Sequence, residues 1–595
     1  MKIHFTGLLL LSIFIGTMLP VTNLPGQNPT VDSENSDDVT VPAPTAEKVL
    51  NEVEDIIVQG LDRLPWSKEI LQQVAQWPLQ HAGRIKPFDT YAGFNMLKIH
   101  GKRSLRLDDE KLGPIAWALD CMLYPQLAQD YPCILVTNAE VLTSIGFDIT
   151  DRKRRDRWSY NDLKPSFDPL FRNAQQVFET KKEAKDWTLI ERQTVQLAQN
   201  IRALEDFFHA FDTARYVFPL NSIDELTEIF GDSPGPGFSA VLTGLEGLEA
   251  LASRENLLAL PTDRQTVVIN GLQQLQSALL QNMQIGDRGI AWFPPEQVQE
   301  TTENIPVVWT TGSGVFDLAL ASQPAEKRIL ALAAMEQLPA VLDDRALFLQ
   351  KSQEIHTLLS DLATLHGQYN HIAMEVSFYR MDYFYRALIC FIFAFLLACL
   401  GWLKPETKLP TKGTWLASLL GTGLLVTGIV LRCIIQGRPP VTTLYETILF
   451  ITACCVITAL VMEKYDRRKI SLTTATVLGT LGCFLSMRYE LKEAVSAGDT
   501  MPSLVAVLDT NFWLSTHVTS VTLGYSAGLL AAAISHVWLI GKLFGIRKND
   551  KDFYRSITRM VYGTICFGLF FSIVGTILGG IWANYSWGRF WGWDP

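Results

Sequence analysis

Residues 582–595 read WANYSWGRFWGWDP and follow a long apolar run that begins at residue 558. The segment places four tryptophans within twelve positions and separates them with glycines: Trp582, Trp587, Gly588, Trp591, Gly592 and Trp593. Tryptophan is common at membrane–water boundaries because its ring is apolar and its N–H is polar. An aromatic belt at the end of a membrane helix is therefore one interpretation. The tryptophan density and the glycines favour another, in which the backbone closely approaches a flat apolar ligand such as a porphyrin.

The second half of the chain predicts a polytopic helical membrane domain over residues 384–595. Six runs are apolar and long enough to cross a bilayer: 384–403, 414–435, 442–462, 472–487, 514–541 and 558–582. Alternate connections between them differ in charge. Those at 404–413, 463–471 and 542–556 carry twelve lysines and arginines, against three in 436–441 and 488–512. The positive-inside rule then predicts that the tryptophan cluster and the basic-poor connections face the outer side.

The first half predicts export and a soluble, largely helical domain. Lys2 and an apolar stretch indicate a signal or anchor helix at residues 1–20, and the polar, acidic residues 21–46 indicate a flexible linker. Residues 47–380 form the predicted exported domain, because apolar residues recur there at three- and four-residue spacing. The apolar runs 133–137 and 306–310 are candidate strands. The fold class is therefore mainly α.

Composition excludes two classes of function. The net charge is −10, 48% of the residues are hydrophobic, and no long basic stripe favours a nucleic-acid partner. The chain has no CxxC, so it is not expected to be a thiol oxidoreductase, and any thiol reduction must come from a partner. Cys121 and Cys133 are the only cysteines of the 47–380 domain, and they either form a disulfide or remain thiols.

Three motifs resemble the CcsA-type (system II) cytochrome c biogenesis proteins of the WWD-domain family, here with an N-terminal exported extension. WGRFWGWDP at 587–595 matches WGxxWxWDP, and WLSTHVTSVTLGY at 513–525 matches WLxxHVxxxxxGY. GRPPVTTLYET at 437–447 is close to GxxPxSNLYES, with Thr442 and Thr443 replacing the serine and asparagine. The resemblance covers about 370–595.

The resemblance implies a haem-handling protein that takes part in cytochrome c assembly. It implies that haem b is held at the outer face, with His517 as an axial iron ligand, and is presented to the CxxCH site of apocytochrome c for thioether attachment. The chain would then be part of a holocytochrome c synthase. The implied contacts with haem come from the tryptophan cluster: Trp582, Trp587, Gly588, Trp591, Gly592, Trp593 and Asp594.

The resemblance also implies partners and a location. The partners are a ResB/CcsB-type membrane protein, apocytochrome c, thiol-reducing proteins and the lipid bilayer. The implied location is the cytoplasmic membrane, with multiple spans and the large soluble domain on the outer, periplasmic face. The family continues beyond the Asp-Pro with further spans and histidines. We therefore expect that the sequence is a fragment, the alternative being a protein that lacks part of the usual ligand pair.

Several residues keep two interpretations. From position alone, His517 is either a hydrogen-bonded helix-start residue or a ligand. Glu446 with Arg432 or Arg438 forms a helix-start ion pair, or the arginines contact haem propionates. His536 is expected to bond a neighbouring helix, the alternative being an interior proton or haem-entry role.

One motif of the first half also resembles the family. GRIKPFDT at 83–90 resembles a stretch of exported CcsA-type extensions, and we expect a turn in which Arg84 pairs with Asp89.

Two other functions remain open. The WWD motif also occurs in system I haem-handling proteins such as CcmC and CcmF, which differ in their number of spans or lack a large exported domain. The membrane part could instead be a transporter or a passive, non-enzymatic scaffold for the exported domain. That class predicts polar mid-bilayer residues or broken helices.

Overall fold

The computed structural model describes residues 63–107, 110–147, 156–181, 183–218, 223–231, 235–286, 289–296, 307–320, 325–404, 406–503, 511–547 and 550–590. The predicted signal or anchor and the linker lie outside these residues. The chain divides into two compact units, one of Met1–His81 with Asn95–Tyr369 and the other of Ala82–Phe94 with Asn370–Pro595. Residues 82–94, counted above with the exported domain, thus cluster with the apolar helices.

The first unit is mainly helical, which confirms the predicted fold class. Its α-helices are Lys68–Val74, Pro114–Leu123, Pro125–Ala128, Ala139–Ser144, Tyr160–Leu163, Phe167–Thr180, Leu189–His209, Asp212–Arg215, Asp224–Phe230, Phe238–Thr243, Leu245–Ala252, Arg254–Ala259, Thr262–Gly286, Gly312–Leu320, Glu326–Glu336 and Arg345–Leu365. Short 3-10 turns lie at Lys164–Ser166, Ala184–Asp186 and Pro339–Val341. Its strands are Pro78–His81, Leu105–Leu107, Glu110–Leu112, Ile134–Leu135 and Arg157–Trp158.

Strands are short in this unit and pair locally. Leu105–Leu107 pairs antiparallel with Glu110–Leu112, and Ile134–Leu135 pairs with Arg157–Trp158. The candidate strand at 133–137 is therefore present in shortened form. Of the other candidate, Thr310 forms an isolated bridge to Phe293.

Buried aromatic and polar groups hold the core of the first unit. The Trp77 and Trp292 rings meet edge to face with centroids 5.9 Å apart. The carboxylate of Asp120 is fully buried and accepts hydrogen bonds from Arg63 and Trp66, both at 2.8 Å, because a buried carboxylate needs donors in place of water. The two cysteines considered for a disulfide, Cys121 and Cys133, are buried free thiols.

The second unit contains six helices long and apolar enough to span a membrane, which confirms the predicted polytopic architecture. They are, from first to sixth span, Ile372–Leu403, Lys408–Gln436, Leu444–Asp466, Ile470–Val495, Ser515–Leu543 and Lys551–Trp587. The fourth is longer than predicted, so the basic residues Arg488 and Lys492 lie on its last turns rather than in a connection. Asp382, in the left-handed conformation, divides the first span into Ile372–Met381 and Tyr383–Leu403.

Small residues bring these spans together. A Cβ atom at Gly479 would lie 2.7 Å from the Phe391 ring, and one at Gly482 would lie 2.0 Å from the Thr452 hydroxyl. Glycine is therefore required where the fourth span meets the first and third, as is usual when packing rather than water expulsion joins membrane helices. The unit also includes the strand Arg84–Pro87, the start of the helix Phe88–His100, and the short helix Asn511–Trp513.

Candidate functional site

His517 lies in a π-helical turn, Leu514–Val518, at the start of the fifth span. Such a turn widens the helix by one residue and is often found at functional positions. Hydroxyl groups surround it. Thr516 donates to the carbonyl of Phe512 at 2.8 Å, and Ser520 donates to that of Thr516 at 2.6 Å. These bonds satisfy backbone carbonyls at the point where the regular helical pattern is interrupted.

The hydrogen bond of His517 determines which ring nitrogen is free. Its Nδ1 lies 2.7 Å from the backbone carbonyl of Gly575 on the sixth span. A carbonyl can only accept, so Nδ1 carries the hydrogen and, in the neutral ring, Nε2 keeps its lone pair. Within the described residues, Nε2 has no hydrogen-bond partner. A histidine that donates through one nitrogen to a carbonyl is in the form that binds a metal through the other.

Glycines on the sixth span make room for this imidazole. A Cβ atom at Gly579 would lie 2.5 Å from Cε1 of His517 and 3.2 Å from Nε2. One at Gly575 would lie 2.9 Å from the backbone nitrogen of Val521 on the fifth span. The sequence GTILGG at 575–580 therefore lets the two helices approach closely and gives the ring a flat surface to lie on.

Aromatic side chains surround the same end of the sixth span. The centroid of the Trp582 ring lies 5.7 Å from that of His517, and the Trp513 ring lies 6.2 Å from Tyr585. The Nε1 hydrogen-bond donor of Trp582 is buried without a partner among the described residues. Trp587 is 54% exposed. The imidazole of His517, with its free Nε2 lone pair, thus lies beside the ring of Trp582, whose Nε1 donor is unused among the described residues.

Gly588 ends the sixth span in a left-handed conformation, with φ of +68°, and its N–H bonds the carbonyl of Asn584. Only glycine adopts this conformation without strain. The chain then turns back, since a Cβ atom at Gly580 would lie 2.7 Å from the Phe590 ring. The remaining predicted haem contacts, Trp591, Gly592, Trp593 and Asp594, lie outside the described residues.

Arg432 and Glu446 form a buried ion pair between the second and third spans. Nη2 of Arg432 lies 2.8 Å from Oε1 of Glu446, and each side chain is 1% exposed. Arg432 also donates to the hydroxyl and carbonyl oxygens of Thr500 and lies over the Tyr445 ring. Of the two interpretations of Arg432, this geometry favours the ion pair.

Other groups that satisfy Glu446 were not among the predicted contacts. Its carboxylate accepts from Gln436 at 2.7 Å and from both the backbone N–H and the hydroxyl of Thr442, while Thr443 caps the third span through the N–H of Glu446. The two threonines that replace the family's serine and asparagine thus have defined roles. A Thr-Thr pair shortly before a glutamate at a predicted helix start was the available signal.

Arg438 takes no part in the ion pair between Arg432 and Glu446. It donates to Oε1 of Gln436 and to the carbonyl of Pro502, and within the described residues no ion pair to Glu446 is formed. Burial lowers its pKa, and the attraction of Glu446 opposes that shift.

His536 differs from its prediction. Its Nδ1 bonds the carbonyl of Ala532, one turn earlier on its own helix, and the side chain is exposed. The prediction of a bond to a neighbouring helix was wrong because a helix interior always offers an unshared carbonyl lone pair to a side chain four residues later.

Comparison with known proteins adds to this geometry. Residues 441–595 match the family model described as cytochrome C assembly protein. The cytochrome c biogenesis protein CcsA of Synechococcus sp. (strain WH7803) is 28% identical over 242 residues, which are 34% of this chain and 74% of that protein. CcsA of Chlamydomonas reinhardtii is 30% identical over 179 residues, 29% of this chain and 49% of that protein.

A longer relative is also similar. Protein NrfI of Wolinella succinogenes is 30% identical over 173 residues, 28% of this chain and 18% of that protein. The chain spans about half of the algal protein and less than a fifth of NrfI. These matches confirm the resemblance to CcsA-type proteins that the three motifs predicted.

Proposed function

We propose that this protein, whose membrane part is of the CcsA type, acts in cytochrome c assembly by holding haem beside His517 and presenting it for covalent attachment to apocytochrome c. The observation that carries the proposal is the hydrogen bond of His517 to the Gly575 carbonyl, from which its tautomer follows. The Gly575 carbonyl takes Nδ1–H and leaves Nε2 as a free ligand atom. Imidazole in this form is a strong axial ligand for haem iron.

The surroundings of His517 fit a flat macrocycle. The indole of Trp582 and the exposed ring of Trp587 offer apolar faces, and the unpartnered Nε1–H of Trp582 is available to a ligand acceptor. Gly579 lies against the imidazole of His517 and Gly580 against the ring of Phe590, so no side chain of theirs fills this surface. Trp591, Gly592, Trp593 and Asp594, which lie outside the described residues, remain proposed contacts of the haem.

Each part of the chain then has a separate task. When bound, haem supplies the iron and the vinyl groups to which the two cysteine thiols of a CxxCH site add as thioethers. Gly575 would orient the imidazole, His517 would ligate the haem iron, and the tryptophans would keep the porphyrin flat and exclude water. Because the chain has no CxxC of its own, thiol-reducing partners are proposed to keep the apocytochrome cysteines reduced.

The proposed location is the cytoplasmic membrane, with the 436–444 and 496–514 connections and the tryptophan cluster on the outer face. The support is the twelve basic residues of 404–413, 463–471 and 542–556 against the three of 436–441 and 488–512. A ResB/CcsB-type membrane protein and apocytochrome c are the proposed partners. The large soluble unit is proposed to lie on the same outer side.

Replacement of His517 by glycine in the full-length protein tests the ligand assignment. We expect His517→Gly to retain part of the haem with an altered absorbance spectrum, because the apolar surface remains while one ligand is lost. Cytochrome c maturation should fall, and added imidazole should restore part of both signals.

His536→Gly is the matched control, since it removes a histidine of the same span that bonds only its own helix among the described residues. It should keep the unaltered spectrum and normal maturation. If His517→Gly also keeps both, the ligand assignment is wrong, and the hydrogen bond to Gly575 is merely structural.

A further inference from the structure

The segment of residues 82–94 is far from the spans in sequence yet belongs to the same compact unit. It begins with a turn in which Ala82 and Gly83 both have positive φ, and it contains the strand Arg84–Pro87 and the start of the helix Phe88–His100. The segment carries the GRIKPFDT motif, to which neither the sequence nor the proposed haem site assigns a task.

Arg84 binds two carboxylates of the membrane unit. Its Nη1 and Nη2 lie 2.9 and 2.8 Å from the two oxygens of Glu375 at the start of the first span, a bidentate arrangement. Nε and Nη2 also donate to Asp499, at 3.3 and 3.0 Å, in the connection after the fourth span. The expected pairing of Arg84 with Asp89 is thus replaced by partners 291 and 415 positions away.

Lys86 and Thr90 complete this charge cluster. Nζ of Lys86 pairs with Asp499, and both side chains are only 1% exposed. The hydroxyl of Thr90 donates to Glu375 at 2.8 Å. Two cations therefore face two carboxylates in a place that excludes water, where an unpaired carboxylate would be strongly unfavourable. Burial opposes ionisation of Asp499, but Arg84 and Lys86 outweigh it and hold its pKa at about 2.

Backbone contacts join the same two segments. The hydroxyl of Ser503 donates to the carbonyl of Ala82 at 3.1 Å, and a Cβ atom at Gly83 would lie 3.4 Å from that of Ser503. The connection itself is fixed on its other side, because Arg432 and Tyr379 both bond Thr500. Residues 499–503 are thus held between the 82–94 segment and the first two spans.

We propose that Glu375 and Asp499 form a receptor on the membrane unit for a basic turn, and that the 82–94 segment is its occupant. The occupant is identified by charge complementarity, by the bidentate geometry of Arg84 and by the closeness of Gly83 to Ser503. Residues 82–94 would then be held within the membrane unit by specific recognition of their basic side chains. This role is independent of haem binding.

A cysteine pair in the full chain tests this contact directly. The predicted distance between Cβ atoms for Gly83→Cys with Ser503→Cys is 3.4 Å, within reach of a disulfide. A protease site inserted at the exposed turn of Gly367 allows the two parts to be separated after oxidation. We expect the cleaved fragments to remain joined on a non-reducing gel and to separate on reduction.

Gly146→Cys with Ser503→Cys is the control pair. Gly146 has a positive φ of +75°, close to the +78° of Gly83, so both substitutions carry a similar backbone strain, but a Cβ atom there meets nothing within 4 Å. Its fragments should separate without reduction. Equal cross-linking of the two pairs would overturn the proposed contact.

Charge exchange tests whether the ion pairs drive recognition. We expect Lys86→Asp to slow cross-linking at least tenfold, because three carboxylates would then share the cluster, and Lys86→Asp with Asp499→Lys to restore it. Lys111→Asp, an exposed lysine outside the segment, should have no effect. If Lys86→Asp cross-links as fast as the parent pair, or the exchange restores nothing, a basic-turn receptor is excluded.

Discussion

Two regions of the membrane unit differ in whether their polar groups have hydrogen-bond partners within the protein. In the charged region, each carboxylate has several donors: Glu375 has Arg84 and Thr90, and Glu446 has Arg432, Gln436 and Thr442. In the aromatic region around His517, the Nε2 atom of the histidine and the Nε1 donor of Trp582 have no partners among the described residues. The carboxylates of the first region are thus closed to ligands, although Nε of Arg432 is buried without a partner among the described residues, whereas the second region is open to them.

This difference in partners distinguishes side chains that have a structural role from side chains that are available to bind a ligand. A buried polar group without a partner costs about 1–3 kcal/mol, so a fold normally satisfies it. A carboxylate whose oxygens both accept hydrogen bonds within the protein has little capacity left for a ligand. Arg432, named at first as a candidate for a haem-propionate contact, therefore fits a structural role with Glu446, whereas His517 retains a free lone pair and Trp582 a free N–H donor for a ligand.

Breaking the closed region should have the largest effect. Arg432→Met leaves the buried carboxylate of Glu446 without its cation, and we expect the free energy of unfolding in detergent to fall by about 3–5 kcal/mol. The haem that the folded fraction retains should keep its spectrum, because the ligand region is untouched.

The double variant Arg432→Met with Glu446→Gln is the control for this prediction. It removes both charges and should recover most of the lost stability. A loss below about 1 kcal/mol for Arg432→Met, as for an exposed pair, would contradict the assignment of this region as a closed structural network.

A methyl group in the open region should act on the ligand instead. Gly579→Ala places a Cβ atom against the imidazole of His517, and overpacking of this kind costs about 1–3 kcal/mol. We expect the displaced ring to shift the haem absorbance and the midpoint potential. Gly563→Ala lies on the same helix with nothing within 4 Å of its Cβ, so it gains the same helix propensity without the contact. Identical spectra in the two variants would show that the ring is not held against Gly579.

The smallest effect is the pH dependence of the charged region. The pKa of Asp499 is about 2 in the folded protein, below its ordinary value of 3.8, so the folded state binds fewer protons and stability falls as pH falls. We expect about 1 kcal/mol of stability to be lost between pH 6 and pH 3 through this group. Asp499→Asn should remove that part of the slope, and an unchanged slope would argue against the ion pairs with Arg84 and Lys86.

Much of the architecture was predictable. All six spans follow from apolar length alone, and the terminal motif, with the residues around His517 and Tyr445, indicated the family. The start of the first span and the end of the fourth were missed. Glu375 lies before the predicted start of the first span, and the fourth span continues past Arg488. Charged residues at a helix end can be satisfied by partners or by water, so they do not stop the helix.

The sequence by itself therefore determined the helical class, the number of spans and the position of His517 at the start of one of them. These depend on local properties: the length of apolar runs, helical spacing and short motifs. Only the tertiary structure decided that Nδ1 of His517 bonds Gly575, 58 positions away, and that Arg84 bonds Glu375 and Asp499 rather than a near neighbour. The physical reason is that hydrogen bonds and ion pairs require atoms to meet within about 3 Å. That proximity is set by how closely the glycine-lined helices pack, which no local pattern of residues specifies.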